Sequence, residues 1–306
     1  MRRYATYYIR ASSFVNKDIL GPKFFKTQLD SLDIDEFLTA ICAIRKKAVV
    51  DRFFANYVPR RHQFTDSYKY ASIMRLDLKE HFRLTAFYLK YYDPREEILL
   101  GYDPGHFSSV VAAQERKQGT ELRILKEFTC YYPQQQPELA AAIHEFFGLD
   151  AKNKRIRLYY DRAGNKKKED YEQITTDAKI LKRELESYGF SVELMNEGQS
   201  TIYYWMQFKL LLLIFGEQSN SFPRVLVDEN ECPNLCSSIM LSPRKKTDGR
   251  IELDKTSEKK VPIKYQAGLT TQLPSALIYL LHGLYYERMP SEYSTMPDDL
   301  PDNMML

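Results

Sequence analysis

The sequence is poor in cysteine, with four in 306 residues, at 42, 130, 232 and 236. That is no disulfide framework, and it points to a reducing compartment. Cys232 and Cys236 have the spacing of half a zinc site, but no second Cys or His pair lies near them in the chain, so they read as buried thiols. Long apolar runs are missing too. The longest, LLLLIF at 210–215, is far below the ~20 residues that a bilayer span needs, and the N-terminus has no apolar signal core. No G-x-x-x-x-G-K-[ST] occurs, so there is no P-loop to claim. Charge of one sign is also lacking: the net charge is only +3, which leaves room for local basic patches but does not itself imply a polyanionic partner. What is there, 44% hydrophobic and 28% charged residues, suits a soluble intracellular protein with a real core, in one large domain or two ordinary ones.

The first ninety or so residues differ from the rest. ATYYIRASSF reads as a strand. DIDEFLTAICAIRKKAVVDRFFANY (33–57) reads as a helix capped by Asp33 and Glu36, with Phe37, Ile41, Ile44 and Ala48 as its apolar stripe. YVPRRHQF is basic and broken by proline. From Glu97 a regular order begins. A buried strand runs from Ile98 to Asp103. FSSVVAAQER and TELRILKEFT follow as a hairpin turning at KQGT. PELAAAIHEFFG (137–148) is a helix from Pro137 to a stop at Gly148. RIRLYYD is a strand with Ile156, Leu158 and Tyr160 on one face. TTDAKILKRELESYG is a helix with Leu181, Leu185 and Tyr188 at helical spacing. FSVELM is a short strand and TIYYWMQFKLLLLIFG a buried helix. Residues 242–261 read as a charged loop. LPSALIYLLHGLYYER is a last helix with Leu277, Leu280, Leu281 and Leu284 inward, and 291–306 reads as a disordered tail. The order β-β-β-α-β-α-β-α, then a loop and a helix, predicts an α/β fold: a mixed sheet with helices on both faces.

Two of these strands end in an acid followed by a glycine turn, GYDPG at Asp103 and YYDRAG at Asp161. In open α/β sheets, sites form beyond the carboxyl ends of strands. Each Asp taken alone reads as a turn cap. Two in this element order read as a pair. Close carboxylates raise each other's pKa, and a divalent cation with a taste for hard oxygen ligands, Mg²⁺ or Mn²⁺, removes the conflict. Two such ions about 4 Å apart support phosphodiester cleavage. His106, three residues beyond Asp103, is placed to protonate a leaving group, although turn histidines are usually inert.

The order of elements, with GYDPG on the first strand and YYDRAGN on the fourth, resembles the RNase H-like nuclease domain of phage terminase large subunits. NEGQSTIYYWMQFKLLL resembles the segment leading into that domain's buried helix. IELDKTSEKK followed by TTQLPSALIYLLHGLY resembles its closing loop and C-terminal helix. SSFVNKDILGPKFFKTQLDSL and RFFAN resemble the stretch that joins the motor ATPase to the nuclease. The resemblance implies a mainly helical connecting segment over 1–95, an RNase H-like nuclease over 96–290, and the tail. It implies metal-dependent cutting of concatemeric double-stranded DNA during genome packaging, in the cytoplasm of a bacterial host. Mg²⁺ or Mn²⁺, as two ions, would be the cofactors. The ATPase portion, the small terminase subunit and the portal would be the protein partners, with no membrane. The ATPase core is absent, so this chain is expected to be a fragment or half of a split enzyme, without ATP hydrolysis of its own. The family also supplies a third acid at the start of the last helix. Here that stretch reads Leu273-Pro274-Ser275-Ala276, and Ser275 stands at the acid's position. Glu258 in the preceding loop is the first substitute; otherwise the site is weakened or inactive.

Basic residues cluster around the expected mouth: Lys166, Lys167 and Lys168 after Asp161, then Arg244, Lys245 and Lys246, and Lys255, Lys259 and Lys260 before the last helix. Lys and Arg give sequence-independent affinity through phosphate contacts, though lysine runs in loops are also commonly just solvated. His282, on the last helix, reads as a packed or surface residue. Two other readings stay open: a non-catalytic DNA-gripping or motor-assembly module, and another RNase H-like nuclease such as a junction resolvase.

Overall fold

A computed structural model of the chain describes residues 12–31, 41, 51–73, 84–131, 135–170, 173–198, 202–217, 219–247 and 250–290. The expected strand over 5–14, most of the 33–57 helix, and the tail lie largely or wholly outside them. Contacts divide the chain into two units, Met1–Ala48 with Leu78–Phe82, and Val49–Asp77 with Arg83–Leu306. In the first, a 3-10 turn at Ser13–Asn16 leads into helix α1 (Lys17–Ser31), which kinks where Gly21 takes φ 71° ahead of Pro22.

The second unit carries strands β1 (Gln63–Phe64), β2 (Ile98–Asp103), β3 (Phe107–Arg116) and β4 (Glu121–Tyr131), helix α2 (Gln136–Ile143), β5 (Arg155–Tyr160), β6 (Lys167–Asp170) and β7 (Gln173–Thr176). Then come α3 (Asp177–Ser187), β8 (Ser191–Leu194), α4 (Tyr204–Gly216), β9 (Arg224–Asp228) and α5 (Pro233–Met240). The chain closes with β10 (Arg244–Thr247), β11 (Arg250–Leu253), α6 (Thr256–Lys260) and α7 (Gln272–Tyr285). Among the described residues, the main sheet has seven strands in the order β1-β9-β4-β3-β2-β5-β8. β2, β3 and β4 form an antiparallel meander, and β5 and β8 lie parallel beyond β2. The arrangement is a mixed sheet, an antiparallel meander continued by parallel strands. β9 adds a parallel strand beyond β4, and β1 adds another beyond β9.

Side chains alternate across the pleat and so feed two cores. Ile98, Leu100 and Tyr102 of β2 join Ile156, Leu158 and Tyr160 of β5 against Leu139 and Ile143 of α2 and Leu181 and Leu185 of α3. On the other face, Leu99, Val111, Leu122 and Val227 meet Phe208, Leu211 and Phe215 of α4, Leu235 of α5, and Leu277, Leu280 and Leu281 of α7. Each such side chain, fully buried, contributes roughly 1.5–3 kcal/mol. Helix α7 comes close to the sheet at Gly101. A Cβ there would lie 2.1 Å from the Ala276 carbonyl oxygen and 2.8 Å from Leu280 Cβ. Gly101→Ala therefore lifts α7 off the sheet. It is expected to cost about 3 kcal/mol in a denaturant melt; a loss below ~1 kcal/mol would show that α7 can yield at no cost.

Several expectations are corrected. Residues 51–57 form no helix; Phe53, Phe54 and Tyr57 are fully buried against Phe208 and Phe215, and that packing overrides helical periodicity. The stretch 242–261 is not a loop: β10 and β11 pair as a hairpin, Arg244 with Leu253 through Thr247 with Arg250. Ile251 and Leu253 bury one side of it. The strand β9 and the helix α5 were absent from the expected order. α3 ends at Ser187, so Tyr188 is exposed and stacks on His144 with centroids 4.5 Å apart. Residues 144–148 continue α2 as a π-helical turn.

Candidate metal centre

Asp103 is the last residue of β2, and Asp161 follows the last residue of β5. Those strands are parallel neighbours in register, with Tyr102 opposite Tyr160. The two acids therefore extend from adjacent strand ends, and adjacent strands lie ~4.8 Å apart. Tyr102 and Tyr160 point into the α2–α3 core. By alternation, Asp103 turns to the α4–α7 face. Asp161 caps the 3-10 turn Arg162–Asn165, its Oδ1 accepting from the Ala163 N–H. The turn-cap reading thus holds for Asp161, and it leaves the acid beside Asp103.

Asp103 is buried, and burial pushes it up to about 7. Asp161 and Glu258 push the same way, while the Lys255 ammonium and the hydroxyl of Tyr279 oppose them. Tyr279 lies one turn beyond Ser275 on α7. Ser275 itself is buried at the head of that helix, its backbone N–H donating to the Thr271 carbonyl at 2.8 Å. Its hydroxyl lies near Tyr279 but in no hydrogen bond of ordinary geometry. Because Ala276 packs on Gly101, two residues before Asp103, the head of α7 lies over the end of β2.

Glu258 approaches the head of α7 from α6. Its carboxylate accepts from the hydroxyl of Thr271, the residue that precedes α7. Lys255 Nζ lies 3.7 Å from Glu258 Oε1. Burial works against charge on Lys255, but Asp103, Glu258, Tyr204 and Asp161 outweigh it and hold the ammonium above its ordinary value. Tyr204, the first residue of α4, is raised by burial, with the three acids acting in the same direction. Among the described residues, no three His, Cys, Asp or Glu side chains are placed to hold a metal ion as a set.

The remaining candidates lie as follows. Lys166 is exposed just past Asp161, and Lys167 and Lys168 open β6. Arg244 pairs with Asp51 at 3.1 Å, its guanidinium 5.4 Å over the Phe208 ring. Lys245 pairs with Glu252 at 3.4 Å. Lys246, Lys259 and Lys260 are exposed. Lys255 is half-buried beside Glu258. His106 is exposed in the β2–β3 turn. His282 stacks on Tyr286 and is held down at about 4 by burial. Cys232 and Cys236 are both buried in the α4–α5 core, and burial raises both thiols. No helix among the described residues is long and apolar enough to cross a membrane. Sequence reasoning missed Tyr204, Tyr279 and the inward role of Lys255. Only Tyr279 left a signal, its four-residue spacing from Ser275.

No protein-family model matches the sequence. No curated protein matches it either. Solved structures similar to the chain include the large terminase of a thermophilic bacteriophage in complex with ATP-gamma-S, at TM-score 0.45 and 9% identity, covering 86% of this chain and 53% of that one. The large terminase nuclease of the thermophilic phage G20c with bound cobalt matches at TM-score 0.43 and 10% identity, over 76% of this chain and 97% of that one. The P22 large terminase nuclease domain matches at TM-score 0.41 and 12% identity, over 78% and 92%. The chain spans about half the length of the large terminase bound to ATP-gamma-S.

Proposed function

We propose that this chain carries a divalent-metal-dependent DNA endonuclease centre, the nuclease part of a phage packaging terminase acting on concatemeric double-stranded DNA. The observation that supports the reading is that Asp103 and Asp161 stand at the ends of neighbouring parallel, in-register strands. An acid held up at about 7 by burial and by two neighbouring acids fits a metal ligand, since a bound cation relieves that crowding. Asp103 and Asp161 would hold the ion, with Glu258 supplying the third carboxylate from across the head of α7. When bound, a divalent ion activates water and stabilises the leaving oxygen of a phosphodiester. The protein's own groups do the rest. Thr271 orients Glu258, Tyr279 orients Asp103, and exposed Lys166, Lys259 and Lys260 can meet backbone phosphates. The ATPase portion, small subunit and portal would be the assembly partners.

A second reading has one observation in its favour. No three ligating side chains converge among the described residues, as a DNA-gripping module without cleavage would have it. A plasmid-nicking assay on wild type, Ser275→Asp and Glu258→Gln, each with Mg²⁺ and with Mn²⁺, decides between them. Wild type is expected to nick weakly and better with Mn²⁺, because Mg²⁺ demands near-ideal octahedral oxygen geometry. Ser275→Asp should raise the rate by restoring an acid at the head of α7. Glu258→Gln should lower it by about 10–100-fold, the usual cost of a disturbed metal shell. If Ser275→Asp gains nothing while Glu258→Gln abolishes nicking, Glu258 already fills the place. If all three are folded and inert with either metal, the gripping module replaces the nuclease.

A further inference from the structure

The turn between α6 and α7 is basic, rigid and apolar on its outer side. Over residues 259–269, KKVPIKYQAGL, there are three lysines and no acid. Ile263 is 38% exposed, Tyr265 55% and Leu269 48%, and Lys259, Lys260 and Lys264 are exposed among them. Single exposed apolar side chains need no explanation. Three on one short turn, rimmed by charge of one sign, mark an interaction surface. The Val261 N–H donates to the Ser257 carbonyl and the Tyr265 N–H to the Pro262 carbonyl, each at 2.9 Å, and Ile263–Tyr265 form a 3-10 turn. The buried Gln266 side chain ties that turn down. Its Nε2 donates to the carbonyls of Glu258 and Val261, both at 2.9 Å, and its Oε1 accepts from Gln272 Nε2 at 3.1 Å. Just beyond, Gly268 packs so closely on α5 that a Cβ would lie 3.0 Å from Asn234 Oδ1. Ile263 and Tyr265 are thus held out into solvent by a backbone fixed to α6, to the head of α7 and to α5.

We propose that this turn is a ridge that enters the minor groove of duplex DNA, with Ile263 and Tyr265 wedged against a base step and Lys259, Lys260 and Lys264 on the flanking phosphates. This rests on the DNA-acting reading above and goes beyond it, by naming the element that grips the duplex. Charge complementarity selects the partner, because three cations with no acid among them suit a polyanion. The apolar pair selects the mode. Lysines that only neutralise phosphates need no exposed isoleucine or tyrosine beside them, whereas minor-groove proteins insert apolar side chains at base steps and partly unstack them. Lys264 Nζ sits 4.8 Å from the centroid of the Tyr265 ring, so cation and ring are presented together, as a phosphate and its neighbouring base are. Through Glu258 and Gln272 the ridge is tied to the head of α7, which lies over the end of β2. A duplex gripped there is held beside the strand ends that carry Asp103 and Asp161.

The test is binding of a fluorescein-labelled A·T-rich duplex, followed by anisotropy over a series of salt concentrations, with EDTA present so that no strand is cut. The proteins are wild type, Ile263→Ser, Tyr265→Ala, Tyr265→Phe and Lys264→Ala, with folding of each checked by circular dichroism and self-association by light scattering. Tyr265→Ala and Ile263→Ser should each bind about tenfold more weakly, within the range that loss of an aromatic–base contact costs, and keep the wild-type salt dependence. Tyr265→Phe should bind as wild type does. Lys264→Ala should flatten the slope of log K against log salt by about 0.9, the share of one phosphate contact. Netropsin, which fills the minor groove, should displace wild type. Equal binding by wild type and both apolar variants, or binding that netropsin leaves undiminished, would overturn the ridge while leaving the DNA-acting reading standing. So would variants that lose self-association and keep their grip on DNA, since the surface would then belong to a second copy of the chain. No binding of duplex by wild type would overturn the DNA-acting reading, and this inference with it.

Discussion

Asp103→Asn is expected to leave a folded chain in which the proposed metal-dependent plasmid cleavage falls by about a thousandfold. A bound metal ion contributes several kcal/mol to transition-state stabilisation, and each ~1.4 kcal/mol is a factor of ten in rate. Asp103 is the more enclosed acid of the pair, pushed up to about 7 by burial, and an amide in its place offers only one weak neutral oxygen. The fold does not depend on the charge. Asp103 ends β2 in a regular backbone pairing with Ser109, and the amide is nearly the same size. The comparison is initial nicking rate on supercoiled plasmid with Mn²⁺, beside circular dichroism spectra of both proteins. A variant that cuts within tenfold of wild type would remove Asp103 from the chemistry.

The second large effect is on stability, with no metal present. The melting temperature of Asp103→Asn minus that of wild type should rise by about 5 °C between pH 5 and pH 8, since roughly 2–3 kcal/mol is involved for a unit of this size. Burial holds Asp103 at about 7, against about 3.9 in an unfolded chain. The folded chain binds this proton more tightly. Its contribution to stability is full below about pH 4 and is lost as pH rises through about 7. The amide has no such proton to lose. The raw wild-type profile mixes other groups. Asp228, pushed up to about 6 by burial, runs in the same direction as Asp103. His62 and His282, held at about 4 by burial, run in the opposite one. The difference between the two proteins cancels these. Saturating Mn²⁺ should then restore wild type at pH 8, by about 2.7 kcal/mol at a hundredfold excess over Kd, and leave Asp103→Asn unchanged. A difference that does not vary with pH would show that Asp103 is ionised as easily as a surface acid.

Much of the sheet was legible because its strands bury residues with a clean period of two. Ile98, Leu100, Ile156 and Leu158 announce one face, and their strands end in the two acids at the edge where α/β sheets build sites. The turn KQGT was readable too, and Lys117, Gln118 and Gly119 all take positive φ there. β9 was harder to see. RVLVD is a strand of five residues with no alternation, because it is a buried parallel strand whose sides are both covered. The β10–β11 hairpin was hidden by its charge, although the Asp248-Gly249 pair between RKKT and RIEL is a hairpin signal. The neighbours of the acids were hardest. Lys255, Tyr204 and Tyr279 come from a strand end, a helix start and a second helix turn, far apart in the chain. Of the three, Tyr279 is carried to the end of β2 by the packing of α7 on Gly101.

The direct measurement is a crystal of the wild-type chain soaked in Mn²⁺, with diffraction recorded at the manganese absorption edge. An anomalous peak between the carboxylates of Asp103 and Asp161, within about 2.5 Å of an oxygen from each, is the expected result. No peak there, or carboxylates more than roughly 10 Å apart when metal cleavage chemistry works across about 4 Å, would contradict a metal centre at these strand ends.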